Sequence, residues 1–364
     1  MIRAGEATKK LRLAWHFLRR RLIHTNLQIL YDCNFRCRIC DFWKKEYRGR
    51  PWMTAVEARA VAARLSEIGP QIVSIGGGEP LLHPEVEDIV SALARRHFPV
   101  MITNGWMMTP TKARALWAAG LYEISVSVDY SSAAKHDAQR GRAGAFHRAV
   151  AALETLEANR VQKDQRVNMI SVIMDDNLAE IEPLLELSRR LGVTYLVTLY
   201  SRRRGVNQTG AASGDTSPTL LRLKKAYPEF VALRGYIGRF SEALGGGVAP
   251  CYAGKHLLHI NPQGDVSLCI DHENRPVANL LTEEPSVVEK KLLERYQSND
   301  CHACWTSCRG SLETLIYGPG RLANLWDYYR MTKSLRLRTG DRSLGAHCAT
   351  ATPLQTPSTT GARR

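Results

Sequence analysis

Residues 27–40 read LQILYDCNFRCRIC, an apolar run that leads into three closely spaced cysteines, Cys33, Cys37 and Cys40. The apolar residues at 27–31 predict a buried strand, so the cysteines lie on the loop after its carboxyl end. Three thiolates on one short loop can face a common point, and soft thiolates favour an iron–sulfur cluster or zinc. Three ligands would leave one iron of a [4Fe–4S] cluster without a protein ligand and open to a further ligand.

Outward from this loop, short β-branched runs alternate with longer helical patterns. The runs predict strands over 27–31, 72–75, 100–103, 123–128, 167–173 and 195–199. Helical patterns lie near 54–68, 84–96, 111–119, 144–158 and 178–191. This alternation predicts an α/β fold of parallel strands, either a barrel or an open sheet, with the site on the loops after the carboxyl ends of the strands.

Composition excludes several classes of protein. The 364 residues are 44% hydrophobic and 23% charged, which excludes global disorder, and no apolar run is long enough to predict a transmembrane helix. The N-terminus lacks the pattern of a secretion signal, so we expect a cytoplasmic protein, in which nine cysteines are better explained by metal binding than by disulfides.

The formal net charge of +15 is concentrated at the two ends of the chain. Residues 1–24 hold seven basic residues and one acid, residues 330–364 hold the same numbers, and residues 25–329 are left with only +3. The charge therefore concerns docking more than catalysis. No interleaved basic and aromatic strands are present, and we expect no specific nucleic-acid binding.

A second group of cysteines follows the strand–helix pattern. It comprises Cys251, Cys269, Cys301, Cys304 and Cys308. Residues 259–269 predict a hairpin that carries Cys269 toward the later pair in Cys301-His-Ala-Cys304. Four cysteines that include such a pair are also a common zinc ligand set, so a structural zinc site is the alternative.

The motifs of the first two hundred residues resemble those of the radical S-adenosylmethionine (radical SAM) superfamily. The spacing of Cys33, Cys37 and Cys40 matches its cluster motif. Three further motifs follow successive predicted strands in matching order: Gly76-Gly77-Gly78-Glu79, Thr103-Asn104, and the strand that contains Ser127 and Asp129. The resemblance covers residues 26–200 and implies a partial (β/α)6 barrel.

The resemblance implies a role for each of these residues. The glycines would let the backbone close on the methionine part of S-adenosylmethionine (AdoMet), and Glu79 would accept from its ammonium group. Ser127, Thr103 and Asn104 would contact the methionine carboxylate or the ribose. Asp129 would either join them or cap the next helix. Ile39 would pack on adenine where many members carry an aromatic residue.

The second cysteine group resembles the twitch and SPASM auxiliary-cluster domains. Five cysteines suit one [4Fe–4S] cluster of the twitch type, for which Cys251, Cys269, Cys301 and Cys304 are the preferred ligands. Cys308 would replace Cys304 or be free, and Cys348 would be a bystander. The implied organisation is an N-terminal helix (1–24), a radical SAM core (25–235), a small cysteine-rich α+β auxiliary domain (236–325) and a basic tail (326–364), of which 349–364 is predicted to be disordered.

The implied activity is reductive cleavage of AdoMet to a 5′-deoxyadenosyl radical that abstracts hydrogen from a substrate. The auxiliary cluster would assist electron transfer, and a flavodoxin or ferredoxin would be the electron donor. A peptide or a small natural product is the expected substrate. The alternatives are a lipid or membrane-associated substrate and, less favoured, RNA or a non-enzymatic electron carrier.

The N-terminal segment places Leu11, Trp15, Leu18 and Leu22 on one helical stripe. Such a basic amphipathic helix either lies in an anionic membrane interface, at the inner face of the membrane, or packs its stripe on the barrel with the charges outward. Arg202, Arg203 and Arg204, after the last predicted strand, either bind a phosphate or carboxylate or begin a solvated loop.

Overall fold

One nine-stranded sheet organises the chain in the computed structural model, which describes residues 4–47, 49–162, 164–174, 176–201, 215–318 and 320–338. The strands are β1 His24–Gln28, β2 Ile72–Gly76, β3 Phe98–Thr103, β4 Glu123–Ser127, β5 Arg166–Ile173, β6 Thr194–Leu199, β7 Leu257–Ile260, β8 Asp265–Ser267 and β9 Ala278–Asn279. The helices are α1 Ala4–Leu18, α2 Ala55–Ile68, α3 Val86–Ala94, α4 Pro110–Ala119, α5 Ala133–Arg140, α6 Ala145–Ala158, α7 Ile181–Arg190, α8 Thr216–Ala226, α9 Arg234–Ile237, α10 Phe240–Gly245, α11 Pro285–Gln297, α12 Ser307–Tyr317 and α13 Arg321–Arg338.

Strands β1 to β6 lie side by side in chain order and pair in parallel throughout. A helix follows each of the first five, and apolar residues of the sheet and of α2, α3, α4, α6 and α7 form one buried core. This arrangement confirms the predicted α/β class. Because the strands are parallel, the loops after their carboxyl ends gather along one edge of the sheet.

The first strand begins three residues before the predicted one. His24, Asn26 and Gln28 alternate with Thr25 and Leu27, so the strand has the two-residue period of a sheet and not a continuous apolar run. The apolar residues that suggested a strand, 29–31, are fully buried, but they belong to the connection to the cysteines.

The predicted hairpin is present as β7 and β8, and it extends the core sheet. Strand β7 pairs in parallel with β1, and β8 and β9 add antiparallel strands beyond it. The strands of the second cysteine segment are therefore continuous with those of the first. The domain boundaries proposed from sequence stay predictions.

Helix α12 crosses the inner side of the curved sheet. At its start, the Ser307 backbone N–H donates to Thr198 Oγ1 of β6 over 3.0 Å. In the next residue, Cys308 Sγ accepts a hydrogen bond from Asn26 Nδ2 of β1 over 3.9 Å. The helix thus links the first and last parallel strands, which the sheet itself does not bring together.

Helix α1 packs on the barrel, but not through its apolar stripe. Lys9 Nζ donates to the carbonyl oxygens of Ala94 and His97 over 3.0 and 2.9 Å, whereas Leu11, Trp15 and Leu18 are 72%, 55% and 60% exposed. The prediction that this stripe packs on the barrel is wrong for these three residues. Buried hydrogen bonds of the lysine and contacts of neighbouring side chains hold the opposite face of the helix.

Within the described residues, no helix is long and apolar enough to cross a membrane. Several sequence predictions concern other parts of the chain. Arg202, Arg203, Arg204, most of the loop after them, Cys348 and the tail 349–364 lie outside the described residues.

We expect Gly78→Ala to destabilise the protein by about 2 kcal/mol or more, because a Cβ atom there would collide with the carbonyl oxygens of Tyr31 and Asp32. Gly76→Ala is the matched control, since a Cβ atom at that position has no neighbour within 4 Å. Thermal unfolding of both variants without cofactors tests this. Equal melting temperatures would contradict the packing described for the turn.

Candidate functional site

The cysteine loop lies at the carboxyl end of β1 and is partly enclosed by apolar side chains. Cys37 is buried, and Cys33 and Cys40 are half-buried. Phe35, Cys37 and Ala145 form a small cluster with Cys33, Ile39, Cys40 and Trp106 packed around it. Ile39 therefore lies beside the cysteines, where an adenine-packing residue is expected.

The Glu79 carboxylate joins two of the predicted motifs. Glu79 is 1% exposed, and it accepts hydrogen bonds from Thr103 Oγ1 over 2.6 Å and from the Asn104 backbone N–H over 2.7 Å. It also accepts from the Leu81 N–H at 3.0 Å. Burial raises the pKa of Glu79, and these donors oppose that shift by stabilising the ionised form.

The glycine turn packs against the chain that leads into the cysteines. The N–H of Gly78 donates to the carbonyl oxygen of Leu30 over 3.0 Å, and that of Glu79 to Asp32 over 2.9 Å. Gly77 has a φ of +137° and lies against Leu30. Gly77 and Gly78 thus permit close approach of two protein segments, whereas the space beside Gly76 is open.

Asp129 does not cap the following helix. The cap of α5 is Ser132, and Asp129 is a fully buried partner of Arg140, with 2.7 Å between Oδ2 and Nη2. Arg140 Nη1 lies 4.0 Å from Cys37 Sγ. The alternative that Asp129 only caps a helix is therefore wrong. Ser127 is half-buried at the carboxyl end of β4, two residues before Asp129.

Arg140 is the site residue that the sequence did not suggest. It is 8% exposed, and its Nε has no hydrogen-bond partner among the described residues. A buried guanidinium with an unused donor is suited to an anionic ligand. Nothing local marks it, because only the fold brings the end of α5 to the cysteine loop.

Gln28 is a second residue of this kind. Its side chain is 1% exposed, and neither amide atom has a hydrogen-bond partner among the described residues. In the sheet it pairs with Gly76, beside the open space at that glycine. Buried amides are nearly always satisfied, so Gln28 indicates a ligand or water at this position.

Burial disfavours the ionised form of two of the three thiols, those of Cys33 and Cys37. Burial raises the pKa of Cys33 to about 12 and also raises that of Cys37, although Arg140 partly opposes the second shift. Within the described residues, no three His, Cys, Asp or Glu side chains converge as a single metal ion requires. Each thiolate of a four-iron cluster binds a different iron, so three thiols on one loop fit that group without converging on one atom.

The structure also brings the second cysteine group together. Cys251 and Cys301 are hydrogen-bonded, Cys269 lies near Cys301 and Cys304, and Cys304 lies near Cys308. The hydrogen bond to Cys301 and burial raise the pKa of Cys251, and burial raises that of Cys269 to about 12.

Arg309 is the buried cation of this second group. Its Nε lies 2.9 Å from Glu313 Oε1, and its Nη2 donates to the carbonyl oxygen of Pro250 over 2.9 Å. It also donates to the carbonyl oxygen of Cys304. The pKa of Arg309 stays raised despite its burial, because Cys251 and Glu313 favour its charged form.

A cavity of about 2550 Å³ extends along the inner face of the sheet. Its lining includes Asn26, Ser74 and Ser125 of three strands, together with Cys308 of α12. Ile102, in the middle of the sheet and one residue before Thr103, is 42% exposed on this side. The barrel therefore encloses an open chamber with α12 as one wall. Among the described residues, neither Glu79 nor the first three cysteines line it, and Ile102 is the lining residue next to Thr103.

Comparison with known proteins finds a family match over the first part of the chain. Residues 27–188 match the radical SAM superfamily. The mycofactocin maturase MftC of Mycolicibacterium smegmatis is 27% identical over 307 residues, which cover 78% of this chain and 76% of the maturase. An AdoMet-dependent heme synthase of Methanosarcina barkeri is 33% identical over 166 residues, 45% of this chain and 46% of the synthase.

Among solved structures, Streptococcus suis SuiB bound to the precursor peptide SuiA aligns with a TM-score of 0.60. The alignment covers 78% of this chain and 68% of SuiB at 12% identity, so the likeness concerns the fold. The maturase and SuiB alignments both extend beyond residues 27–188.

We expect Arg140→Gln to destabilise the protein by about 3–5 kcal/mol, because it leaves the buried Asp129 carboxylate without its cation. The double variant Asp129→Asn/Arg140→Gln removes both charges and should recover most of that loss. Arg38→Gln, at an exposed arginine of the cysteine loop, is the control. Urea unfolding of the parent, these three variants and Asp129→Asn measures the coupling, and additive effects of the two single substitutions would contradict the buried pair.

Proposed function

We propose that this chain, a radical SAM enzyme, modifies a peptide inside its open barrel. The observation that carries the proposal is the convergence of four elements at one edge of the sheet. The cysteine loop, Glu79, Thr103–Asn104 and Arg140 all meet there, and the inner chamber extends to Ile102, one residue before Thr103.

The residues at this edge fit the cofactors of the superfamily, a [4Fe–4S] cluster and AdoMet. Cys33, Cys37 and Cys40 would hold the cluster. Glu79 would accept from the ammonium group of AdoMet, and Arg140 would donate its unused Nε–H to the methionine carboxylate. Ser127, Thr103 and Asn104 would orient the ribose or the carboxylate, Ile39 would pack on adenine, and the glycine turn would leave room beside Gly76.

When bound and reduced, these cofactors supply a 5′-deoxyadenosyl radical that abstracts a hydrogen atom from the substrate. The chain positions the substrate carbon and excludes water around it. The inner face suits an apolar side chain with a few polar contacts, because Ile102, Ile170 and Leu196 line it together with Asn26 and Ser125.

The second cysteine group is proposed to hold an auxiliary [4Fe–4S] cluster on Cys251, Cys269, Cys301 and Cys304. Their mutual proximity supports this set. Cys308 differs from them, since its Sγ accepts from Asn26 and lines the chamber. A cluster bound by four thiolates would accept an electron from the substrate radical, and Arg309 would offset part of its negative charge.

A peptide substrate is supported by two of the similar proteins. The SuiB structure contains a precursor peptide, and the relative named for the maturation of mycofactocin aligns over most of both chains. The heme synthase, whose name indicates a small-molecule product, aligns over less than half of this chain. The remaining proposed partners are an electron donor such as a flavodoxin or ferredoxin and, through residues 1–24, an anionic membrane at the cytoplasmic side.

The test is anaerobic incubation of the reconstituted, reduced protein with AdoMet. We expect release of 5′-deoxyadenosine, and we expect none from Cys37→Ala, which lacks one cluster ligand. Co-expression with short peptides encoded beside its gene should give a peptide of changed mass, detected by mass spectrometry. Failure to cleave AdoMet would refute the enzyme assignment; cleavage without any peptide change would refute only the substrate class.

The double variant Asp129→Asn/Arg140→Gln refines this test. It should retain its iron, because all three thiols are present, but bind AdoMet about tenfold or more weakly through loss of a charged hydrogen bond. Equilibrium dialysis of the reconstituted proteins measures this. Unchanged affinity would remove Arg140 from the proposed carboxylate site.

Iron analysis tests the auxiliary site. The reconstituted protein should contain about eight iron atoms, Cys301→Ser about four, and Cys308→Ser about eight, because Cys308 is the cysteine outside the proposed set. Zinc in place of the second set of iron atoms would establish the structural-zinc alternative. Loss of iron in Cys308→Ser would instead assign Cys308 as a ligand.

A further inference from the structure

Helix α13 has its polarity reversed relative to an ordinary surface helix. It buries Asn324 and Asp327, whereas Leu322, Trp326 and Tyr329 are 82%, 60% and 52% exposed. These three lie at positions i, i+4 and i+7 and share one helical face. Contiguous exposed apolar groups of this size mark interaction surfaces on soluble proteins.

Polar contacts fix this orientation. Asp327 Oδ2 accepts from the Arg234 backbone N–H over 2.9 Å, and Asn324 Nδ2 donates to the carbonyl oxygen of Thr314 over 3.3 Å. Rotation of the helix to bury Trp326 would break both buried hydrogen bonds. The outward position of its aromatic residues is therefore part of the fold.

Helix α1 presents a similar face. Leu11, Trp15 and Leu18 also lie at i, i+4 and i+7, opposite the side that Lys9 attaches to the barrel. The Arg19 guanidinium lies 4.4 Å from the centre of the Trp15 ring, so the stripe has a cation at its edge.

The two helices lie beside the same residues at the amino ends of the strands. The ammonium group of Lys10, from α1, lies 5.8 Å from the centre of the Tyr122 ring, and the Arg166 guanidinium lies 5.5 Å from it. Tyr328, from α13, lies near both Tyr122 and Arg166. Both helices are thus attached to the end of the barrel opposite the cysteine loop.

We propose that the outward faces of α1 and α13 form an aromatic–basic surface that docks on an anionic lipid bilayer. Tryptophan and tyrosine suit the interfacial region of a membrane, and arginines beside them attract anionic headgroups. Arg12 and Arg19 of α1 and Arg330 of α13 are exposed around the apolar residues. Docked in this way, the protein would keep the carboxyl ends of its strands open to the cytoplasm.

Charge favours a membrane over a second copy of the chain. A two-fold interface places the same surface on both partners, so it would bring the arginines of each copy against those of the other. Residues 1–24 and 330–364 each carry a net charge of +6, which adds to that repulsion. An anionic bilayer offers the opposite charge to both helices at once.

The experiment is sedimentation of the full chain, without AdoMet or reductant, with vesicles of phosphatidylcholine alone or mixed with phosphatidylglycerol. We expect binding only to the mixed vesicles and weakening by added salt. Trp15→Ser/Trp326→Ser should bind about tenfold or more weakly. Arg12→Gln/Arg19→Gln should bind the mixed vesicles about thirtyfold more weakly, since each basic residue near the membrane surface contributes about 1 kcal/mol of binding free energy.

Val56→Ser/Val161→Ser is the matched control, since Val56 and Val161 are 69% and 66% exposed and belong to neither helix. It should bind as the parent does, and melting temperatures should be equal for all the proteins. Equal binding to neutral vesicles, or no effect of the tryptophan variant, would overturn the proposal. So would a dimer in analytical ultracentrifugation that only the tryptophan variant abolishes. These outcomes are independent of AdoMet cleavage and of peptide modification, and they bear only on the proposed membrane partner.

Discussion

Two backbone hydrogen bonds hold the site together: Gly78 N–H to Leu30 and Glu79 N–H to Asp32. They clamp the turn after β2 onto the chain that enters the cysteine loop, and they direct Glu79 toward the end of β3. There the carboxylate accepts hydrogen bonds from Thr103 and Asn104. The Asn104 side chain in turn donates to Asn34 of the cysteine loop. Three consecutive strand ends are thereby locked in one arrangement, and Gly77 and Gly78 are required because no side chain fits between the segments at those two positions.

Each of the two cysteine groups has, beside it, its own buried arginine paired with a carboxylate. Arg140 with Asp129 stands beside Cys37, and Arg309 with Glu313 stands beside Cys304. Removing such ions from water is costly, so each pair persists only where its charges are well matched. A positive group next to thiols favours their ionised form, which is the form that binds metal. Both places in the chain are thus electrostatically prepared for anionic groups.

The sequence predicted the fold class and the superfamily, because both depend on local signals. The alternation of strands and helices shows in the spacing of apolar residues, and the first cysteine motif lies within eight consecutive residues, 33–40. Arg140 and Gln28 escaped notice for the opposite reason: their significance depends on burial and on neighbours distant in the chain. The sequence also left the orientation of the α1 stripe open, since an apolar face alone does not reveal whether it turns inward. In the structure, Lys9 donates hydrogen bonds to the barrel and the opposite, apolar stripe faces outward. The assignments of individual ligands stay predictions, since proximity is not occupancy.

The pairing of β7 with β1 joins the two cysteine segments through one continuous sheet. Without β7, β1 would be a sheet edge with unpaired backbone groups directly below the first cysteine loop. A chain that ended before residue 250 would therefore expose an aggregation-prone edge. The segment that carries β7 covers the edge of β1 and so completes the sheet. If such a segment were lost or acquired in evolution, the edge of β1 would have to be rebuilt at the same time.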